Sequence, residues 1–195
     1  MSLKINLDNT WVTSDHHFWH RGILRYRRED QALDDAALAE SHDQVIRTWN
    51  QTISEDGLVL VLGDFSMAGL NRTEEVLHRL NGSLAFVRGN HDNAKTLRRL
   101  KDRNPEKVHS VQDYLEVKSD GMDTFWGVCS HYPMLDWNGR IYGSVMLHGH
   151  WHSAHHSYPE GIGRIVNVNW DVAKEPLLLR SVAYSMGAIR GEGGE

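Results

Sequence analysis

The sequence predicts an α/β protein in which two sheets are covered by helices, and three observations support this fold class. Short apolar runs alternate with longer stretches of helical periodicity in the first half of the chain. The second half is mostly strand-like, with a hairpin signal at Ser119-Asp120-Gly121. The composition, 40% hydrophobic and 24% charged, is that of an ordinary globular domain. We therefore expect residues 1–195 to form one domain, with a loosely held, Gly- and Glu-rich tail at 187–195.

Five apolar runs are short enough, and rich enough in Val, Leu or aromatic residues, to form buried strands. These runs are Thr10–Thr13, Leu58–Leu62, Leu84–Val87, Phe125–Cys129 and Val145–Leu147. Other segments also have strand-like composition, namely Leu115–Val117, Ile165–Val168, Leu177–Leu179 and Val182–Ser185. Their order predicts two βαβ-like units followed by mostly β material.

Three segments between or after these runs carry apolar residues at helical spacing. The predicted helices are Leu33–Ile53, Asn71–Leu80 and Ala94–Arg103. Asp34 or Asp35 can cap the first helix, because a carboxylate accepts hydrogen bonds from the amides of the first turn. Asn81-Gly82 ends the second helix and Pro105 follows the third.

Composition also limits where in the cell the protein is expected and what it is expected to bind. A single cysteine, Cys129, rules out an intramolecular disulfide and suits a reducing cytoplasm. No run of eighteen apolar residues exists, and Met1–Trp11 lacks the apolar core of a signal peptide, so neither membrane insertion nor secretion is expected. The net charge of -5 argues against a stable nucleic-acid partner, although a local basic patch is compatible with it. The sequence does not indicate an oligomeric state.

Polar residues directly follow each of the five apolar runs. The five polar segments are Ser14-Asp15-His16-His17, Gly63-Asp64, Arg88-Gly89-Asn90-His91-Asp92, Ser130-His131 and His148-Gly149-His150-Trp151-His152. In open α/β sheets, ligands bind beyond the carboxyl ends of the strands. A chance scatter of polar residues would not favour that end five times, so these segments predict a shared site.

The residue types in these segments are those of a metal site. The chain has 13 histidines, and five of them lie between His148 and His156, where a surface histidine tract is the alternative. Asp, Asn and His supply oxygen and imidazole nitrogen, which suit Mn²⁺, Fe²⁺ or Zn²⁺. One cysteine excludes a Cys₄ zinc site. The candidate ligands are too many for one ion and suit two ions about 3.5–4 Å apart that share a carboxylate.

Taken in order, the motifs Asp-x-His, Gly-Asp, Gly-Asn-His-Asp, a lone His and Gly-His-x-His resemble the calcineurin-like metallophosphoesterases. Each motif alone is weak, but five in the family's order between Asp15 and His152 are specific. The text from Thr13 to Phe18 is similar to a small bacterial and phage branch of that family. The resemblance implies the metallo-dependent phosphatase fold, a four-layer α/β/β/α sandwich of two mixed sheets flanked by helices.

The resemblance also implies a role for each matching position. The implied metal ligands are Asp15, His17 and His152 for a first ion, Asn90, His131 and His150 for a second, and Asp64 as a bridge between them. His91 would contact the phosphate and donate a proton to the leaving oxygen, and Asp92 would orient it. The two divalent ions are expected to be Mn²⁺, with Fe, Zn or Ni as alternatives.

The implied reaction is hydrolysis of a phosphodiester or phosphomonoester, in which a metal-bound hydroxide attacks phosphorus. A small phosphodiester or nucleotide is the expected substrate, because no appended domain offers a surface for a larger one. Two other functions compete with this one, a non-catalytic metal-binding scaffold and a nuclease. The scaffold predicts lost ligands, and the net charge of -5 weighs against the nuclease.

Several residues near the motifs carry open interpretations. His20 and Arg21 are the expected substrate contacts, and the basic segment that includes Arg21, Arg25, Arg27 and Arg28 is either a solvated helix face or a phosphate clamp. His16 and Trp151 differ from the residues that are commoner in the family at these positions. The shape of the cleft wall and the identity of the substrate therefore do not follow from the resemblance. Four histidines are expected either to support the metal ligands or to be solvated, namely His16, His148, His155 and His156. His42 and His78 are expected on helix surfaces. Three tryptophans are expected to pack in the core or at the rim, with a platform for a nucleobase as the alternative, namely Trp126, Trp137 and Trp170.

Overall fold

The structure is a computed structural model that describes residues 2–27, 34–119 and 123–189. Its strands are β1 Leu3–Ile5, β2 Thr10–Thr13, β3 Leu58–Leu62, β4 Ser83–Val87, β5 Val108–Gln112, β6 Leu115–Ser119, β7 Trp126–Ser130, β8 Val145–His148, β9 Arg164–Asn167 and β10 Leu177–Leu178. Its α-helices are α1 Leu24–Arg27, α2 Asp35–Thr52, α3 Leu70–Arg79, α4 Ala94–Arg103, α5 Trp170–Ala173 and α6 Leu179–Ser185. Short 3₁₀ turns cover Leu7–Asn9, Arg21–Ile23 and Arg140–Tyr142.

The strands form two mixed sheets of five strands each. The first has the order β10-β2-β3-β4-β5, with β2 to β5 parallel and β10 antiparallel at its edge. The second has the order β1-β6-β7-β8-β9, with β7, β8 and β9 parallel to one another. Two mixed sheets with helices confirm the fold class that the sequence predicts.

The alternation of side chains along the strands of the first sheet builds two cores. Val59 and Phe86 point to one face, where they pack with Trp49 of α2 and Leu77 of α3. Leu60 belongs to the cluster on the opposite face, which also contains residues of the second sheet. Because successive side chains of a strand point to opposite faces, the first sheet is buried on both sides.

Most of the predicted elements occur, several with the predicted bounds. Strands β2 and β3 and helix α4 begin and end where the sequence places them, and the Asp34 carboxylate caps α2 by accepting from the Ala37 amide at 2.8 Å. Strands β6 and β7 pair antiparallel as the hairpin signal predicts, while the turn residues Asp120 and Gly121 lie outside the described residues. Residues 28–33 and 190–195, with Arg28, Leu33 and the end of the predicted tail, also lie outside them.

One predicted strand is wrong, and two strands were not predicted. Val182–Ser185 is the end of helix α6, because Leu179, Val182 and Ala183 reach the core together at helical spacing. Strand β1 was not predicted because it has only three residues, and β5 was not predicted because three of its five residues are polar. Among the described residues, no helix is both long and apolar enough to cross a membrane.

Candidate metal centre

The segments that follow β2, β3, β4, β7 and β8 meet at one end of the two sheets. The first two are joined directly by backbone hydrogen bonds, since the amides of Asp15 and His17 donate to the carbonyls of Gly63 and Asp64, both at 2.9 Å. The segment after β8 joins them through the His150 amide, which donates to Asp15 Oδ2 at 3.0 Å. The predicted convergence of polar segments at the strand ends is therefore present.

Unusual backbone conformations concentrate at this end. Of the six non-glycine residues with positive φ in the described part of the chain, four are predicted metal ligands. They are Asp15 at 61°, His17 at 53°, Asp64 at 52° and His150 at 67°. Such conformations cost of order 1–3 kcal/mol each and persist where surrounding contacts enforce them, which is common at functional sites.

Asp15, His17 and His152 form a first group that could hold a metal ion. One ligand atom from each lies within 4.8 Å of the others. Asp15 Oδ1 is buried and makes no hydrogen bond with any described residue, while His17 Nε2 and His152 Nε2 lie 3.8 and 3.5 Å from it. An unpartnered buried carboxylate oxygen facing two imidazole nitrogens fits a divalent cation, because burial of an unpaired charge is costly.

Asp15, Asp64 and His131 form a second such group. Asp64 Oδ2 lies 3.6 Å from His17 Nε2 and 3.5 Å from His131 Nε2, so it stands between the two groups. His131 Nε2 also lies 2.9 Å from Asn90 Oδ1. The other nitrogen of His131 is 2.9 Å from the carbonyl of Leu62, to which it donates, and this bond leaves the Nε2 lone pair for a metal.

The glycines of these segments let the backbone approach the carboxylates. A Cβ on Gly89 would overlap Oδ1 of Asp64, and one on Gly149 would overlap Oδ2 of Asp15. Gly89 and Gly149 have ordinary φ values, so it is the close approach, and not the backbone conformation, that requires glycine there.

The electrostatics of the buried ligands favour a bound cation. Burial raises the pKa of Asp15 to about 6, against the lowering effects of His131 and the Ser14 hydroxyl, which donates to Oδ2 at 2.5 Å. Burial lowers the pKa of His17 far below its usual range, and neighbouring His152 and His20 lower it further. The lowered pKa keeps the His17 imidazole neutral, which is the form that binds a metal ion, and a cation beside Asp15 would offset the burial that raises the pKa of its carboxyl group.

A second layer of contacts that the sequence analysis missed fixes His152 and the first loop. The Nδ1 of His152 lies 2.7 Å from Asp171 Oδ2, and Arg27 Nε donates to Asp171 Oδ1 at 2.7 Å. The same guanidinium donates to the carbonyls of Asp15 at 2.9 Å and His16 at 3.1 Å. Burial alone would raise the pKa of Asp171, but hydrogen bonds from His152 and Arg27 hold it below its usual range. Arg27 turns inward from the basic segment, and no local feature of the sequence distinguishes it from Arg21 or Arg25.

His91 and Asp92 stand in different environments. His91 is exposed, its amide donates to Asp64 Oδ1 at 2.8 Å, and its ring lies 5.2 Å from the ring of His17. Asp92 is buried, and its carboxylate accepts from the amides of Asp64 at 2.8 Å, Phe65 at 2.9 Å and Gly89 at 2.9 Å. Among the described contacts none joins Asp92 to the His91 ring, so the expected orienting contact is absent and Asp92 instead holds the Asp64 loop.

An open cleft of about 460 Å³ lies over the two groups of ligands. Its lining includes His17, Asp64, Asn90, His91, His150 and His152, together with His20 and Arg25. His20 was an expected substrate contact and does face the cleft, with its Nδ1 3.1 Å from the Nδ1 of His17. Arg21, the other expected contact, does not line it and pairs with Asp35 at the surface, whereas Arg25 does.

The remaining histidines divide between core and surface. His42 is buried and accepts from the Trp19 amide at 2.9 Å, so its expected surface position is wrong, while His78 is exposed as predicted. His16 is fully buried against Phe18 and Trp49, and is therefore not solvated. His148 is buried too, and its Nε2 accepts a hydrogen bond from the Tyr158 hydroxyl at 2.7 Å. His155 and His156 are exposed. Trp137 and Trp170 are buried and Trp126 is half-buried, consistent with core and rim packing.

Comparison with known proteins shows which family and which solved structures the chain resembles. The profile of the calcineurin-like phosphoesterases, Metallophos, matches residues 9–170. The Gene 66 protein of Mycobacterium phage D29 is 28% identical over 166 residues, which cover 75% of this chain and 80% of that protein. The Gene 66 protein of Mycobacterium phage L5 is 25% identical over 172 residues, with 75% and 79% covered. The crystal structure of AQ665 from Aquifex aeolicus, a protein of unknown function, superposes with a TM-score of 0.64 at 19% identity, over 89% of this chain and 96% of that one.

Proposed function

The chain belongs to the calcineurin-like phosphoesterases and is a metal-dependent phosphoesterase, and from that premise we propose that it hydrolyses a small phosphodiester or nucleotide at a centre of two divalent metal ions. The single observation that carries the proposal is the pair of ligand groups at the strand ends, of which His17, Asp64 and His152 line one open cleft. Ions bound there would supply Lewis acidity toward phosphoryl oxygens and activation of water.

We assign Asp15, His17 and His152 to the first ion. Three features support this assignment: the unpartnered Oδ1 of Asp15, the two Nε2 atoms that face it, and the carboxylate behind His152. A carboxylate that accepts from the far nitrogen of a histidine fixes the tautomer and raises the basicity of the ligating nitrogen. Asp171 has that position relative to His152.

We assign Asn90, His131 and His150 to the second ion, with Asp64 shared by both. The position of Asp64 Oδ2, about equally far from His17 Nε2 at 3.6 Å and His131 Nε2 at 3.5 Å, supports the shared role. The ring of His150 lies 5.1 Å from that of His131 and faces the cleft. Imidazole, amide and carboxylate donors together suit Mn²⁺, which we propose as the ion, with Fe, Zn or Ni also compatible.

His91 is proposed as the proton donor to the leaving oxygen. It is exposed at the cleft, its backbone is fixed by the bond from its amide to Asp64, and its ring is free of hydrogen bonds to described residues. The Nδ1 of His20 and the Nδ1 of His17 are 3.1 Å apart, so a ligating His17 would donate its Nδ1 proton to His20. His20 would then present a donating Nε2 to an anionic substrate. Asp92 acts by holding the Asp64 loop.

The test is hydrolysis of an aryl phosphodiester and of the matching phosphomonoester by chelator-stripped protein, with Mn²⁺, Zn²⁺, Ni²⁺ or Mg²⁺ restored one at a time. We expect restored turnover, fastest with Mn²⁺ and with the diester. The matched variant is Asp64→Asn, which keeps the size of the side chain and removes its charge. We expect it to lose turnover and to bind fewer ions by calorimetry. Protein that binds two ions and cleaves neither ester would contradict the proposal and favour the scaffold alternative.

A further inference from the structure

A second cavity lies beside the metal cleft, between the segment that leads into α3 and one face of α4. We name it the arginine groove; it has a volume of about 620 Å³, against about 460 Å³ for the cleft. Its walls are Trp19, residues 67–71, Arg72, Arg99 and Arg103. None of the ligand, proton-donor or clamp residues described above lines this groove, so the proposed function leaves it unused.

The charge of the groove is opposite to that of the protein. Three arginines line it with no acidic residue among the lining residues, although the chain as a whole carries a net charge of -5. Within the described residues, the guanidinium groups of Arg72 and Arg99 make no hydrogen bond or ion pair, whereas Arg103 pairs with Glu74 at 2.9 Å. Each guanidinium has five N–H donors, so most of the donors at the groove are available to a ligand.

The wall between the groove and the cleft is a turn in which neighbouring side chains face opposite ways. His20 lines the cleft, and the preceding residue, Trp19, lines the groove. Trp19 has a φ of 66°, a conformation that bulky residues rarely adopt. It is held there by its amide, which donates to His42 at 2.9 Å, and by the Arg72 guanidinium, which lies 4.8 Å above its ring. The groove therefore begins one residue away from the cleft, along a fixed wall.

From these observations we infer that the arginine groove binds a second phosphate group of the substrate, one that is not cleaved. Arginine binds phosphate oxygens with two parallel hydrogen bonds, which gives both charge and orientation. The substrate class is then a phosphodiester that carries a further phosphate on one of its ester arms, of which a terminally phosphorylated dinucleotide is the simplest member. This inference rests on the proposed function, since it assigns the substrate of the same cleft.

The test measures how strongly dinucleotides compete with the cleavage of an aryl phosphodiester by the metal-loaded enzyme. Thymidine dinucleotides without a terminal phosphate, with a 5′-phosphate and with a 3′-phosphate serve as competitors, so that binding is measured whether or not they are cleaved. We expect one phosphorylated form to inhibit at least about tenfold more strongly than the unphosphorylated one, a preference that weakens as salt is raised. The readout is the ratio of inhibition constants, in which any general change in activity cancels.

Arg99→Gln, and more so the double variant Arg72→Gln with Arg99→Gln, should reduce the ratio of inhibition constants toward one. Arg98→Gln is the matched control, because Arg98 is the exposed neighbour on the same helix and does not line the groove; it should keep the wild-type ratio. An equal inhibition constant for all three dinucleotides in the wild type, or a ratio that survives in the double variant, would overturn the subsite. Failure of the metal-loaded enzyme to cleave the aryl diester at all would instead count against the proposed function.

Discussion

The contacts of Arg27 give the sharpest test of how the segments that carry the proposed metal ligands are held. Replacement of Arg27 by Gln removes the partner of Asp171 and two donors to the carbonyls of the first metal loop. Both members of the ion pair are largely buried, with Arg27 11% and Asp171 6% exposed. The variant therefore leaves a buried carboxylate with only His152 beside it, and a loop whose carbonyls lose their charged donor.

The size of the expected effect follows from the burial of the ion pair and from the position of Asp171 behind His152, a proposed metal ligand. Loss of one partner of a buried ion pair costs about 3–5 kcal/mol, and glutamine, which keeps one donor group, puts the expected loss at the lower end. That is a large part of the roughly 5–15 kcal/mol by which domains are stable. Disturbing a group that orients a metal-binding histidine weakens metal affinity about 10–100-fold. Arg27→Gln should therefore reduce both the free energy of unfolding and the affinity for the first ion.

The assay is chemical denaturation of chelator-treated protein, followed by calorimetric titration with Mn²⁺. Arg21→Gln is the matched control, because Arg21 comes from the same segment and makes an exposed pair with Asp35. Exposed pairs contribute at most about 1 kcal/mol, so this control should behave nearly as the wild type. Equal stability and equal metal affinity in the two variants would refute the clamp and leave Arg27 as one more surface arginine.

Three further predictions concern the proton donor, the glycine contact and the response to acid. His91→Ala should lower kcat by about 10²–10⁴ while calorimetry still finds two bound ions, and unchanged kcat would exclude His91 as the donor. Gly89→Ala places a Cβ against Asp64 and should displace that carboxylate, with a loss of about 10²-fold in activity, whereas Gly69→Ala, with no atom within 4 Å of the added Cβ, should bind metal normally. Burial lowers the pKa of His42 from 6.5 to about 4, so the unfolded chain takes up a proton at a higher pH than the folded chain. Stability present above pH 6.5 should fall by about 3 kcal/mol as pH drops toward 4, and urea denaturation of metal-free His42→Gln should show a smaller acid loss than the wild type.

The convergence of the polar segments was predictable because it follows from strand direction. Parallel strands end at the same edge of a sheet, so residues placed directly after β2, β3 and β4 must lie near one another. It was harder to predict that the segments after β7 and β8 join the same site, because those strands belong to the other sheet. Which edges of two sheets face each other depends on packing across the core, and local sequence patterns do not encode it.

Two of the errors arose because residue composition was weighed above the spacing of the buried residues, and one contact had no local signal at all. Val182–Ser185 has the β-branched and aromatic residues of a strand, yet the i, i+3, i+4 spacing of Leu179, Val182 and Ala183 was already helical. His42 was taken for a surface residue although it lies four residues after Leu38 and three before Val45, on the buried face of α2. The inward turn of Arg27 carries no local signal, because nothing in the sequence marks Asp171 as its partner.

The segment from Asp15 to Trp19 shows how the protein holds a strained backbone at the positions of two proposed ligands. Three alternate residues, Asp15, His17 and Trp19, have φ values of 61°, 53° and 66°, and strain of this kind costs of order 1–3 kcal/mol per residue. Each of the three amides is held at 2.9 Å, by Gly63, Asp64 and His42 in that order. Each of these three bonds fixes one left-handed residue. These hydrogen bonds help to offset the strain at the positions of two proposed ligands, Asp15 and His17.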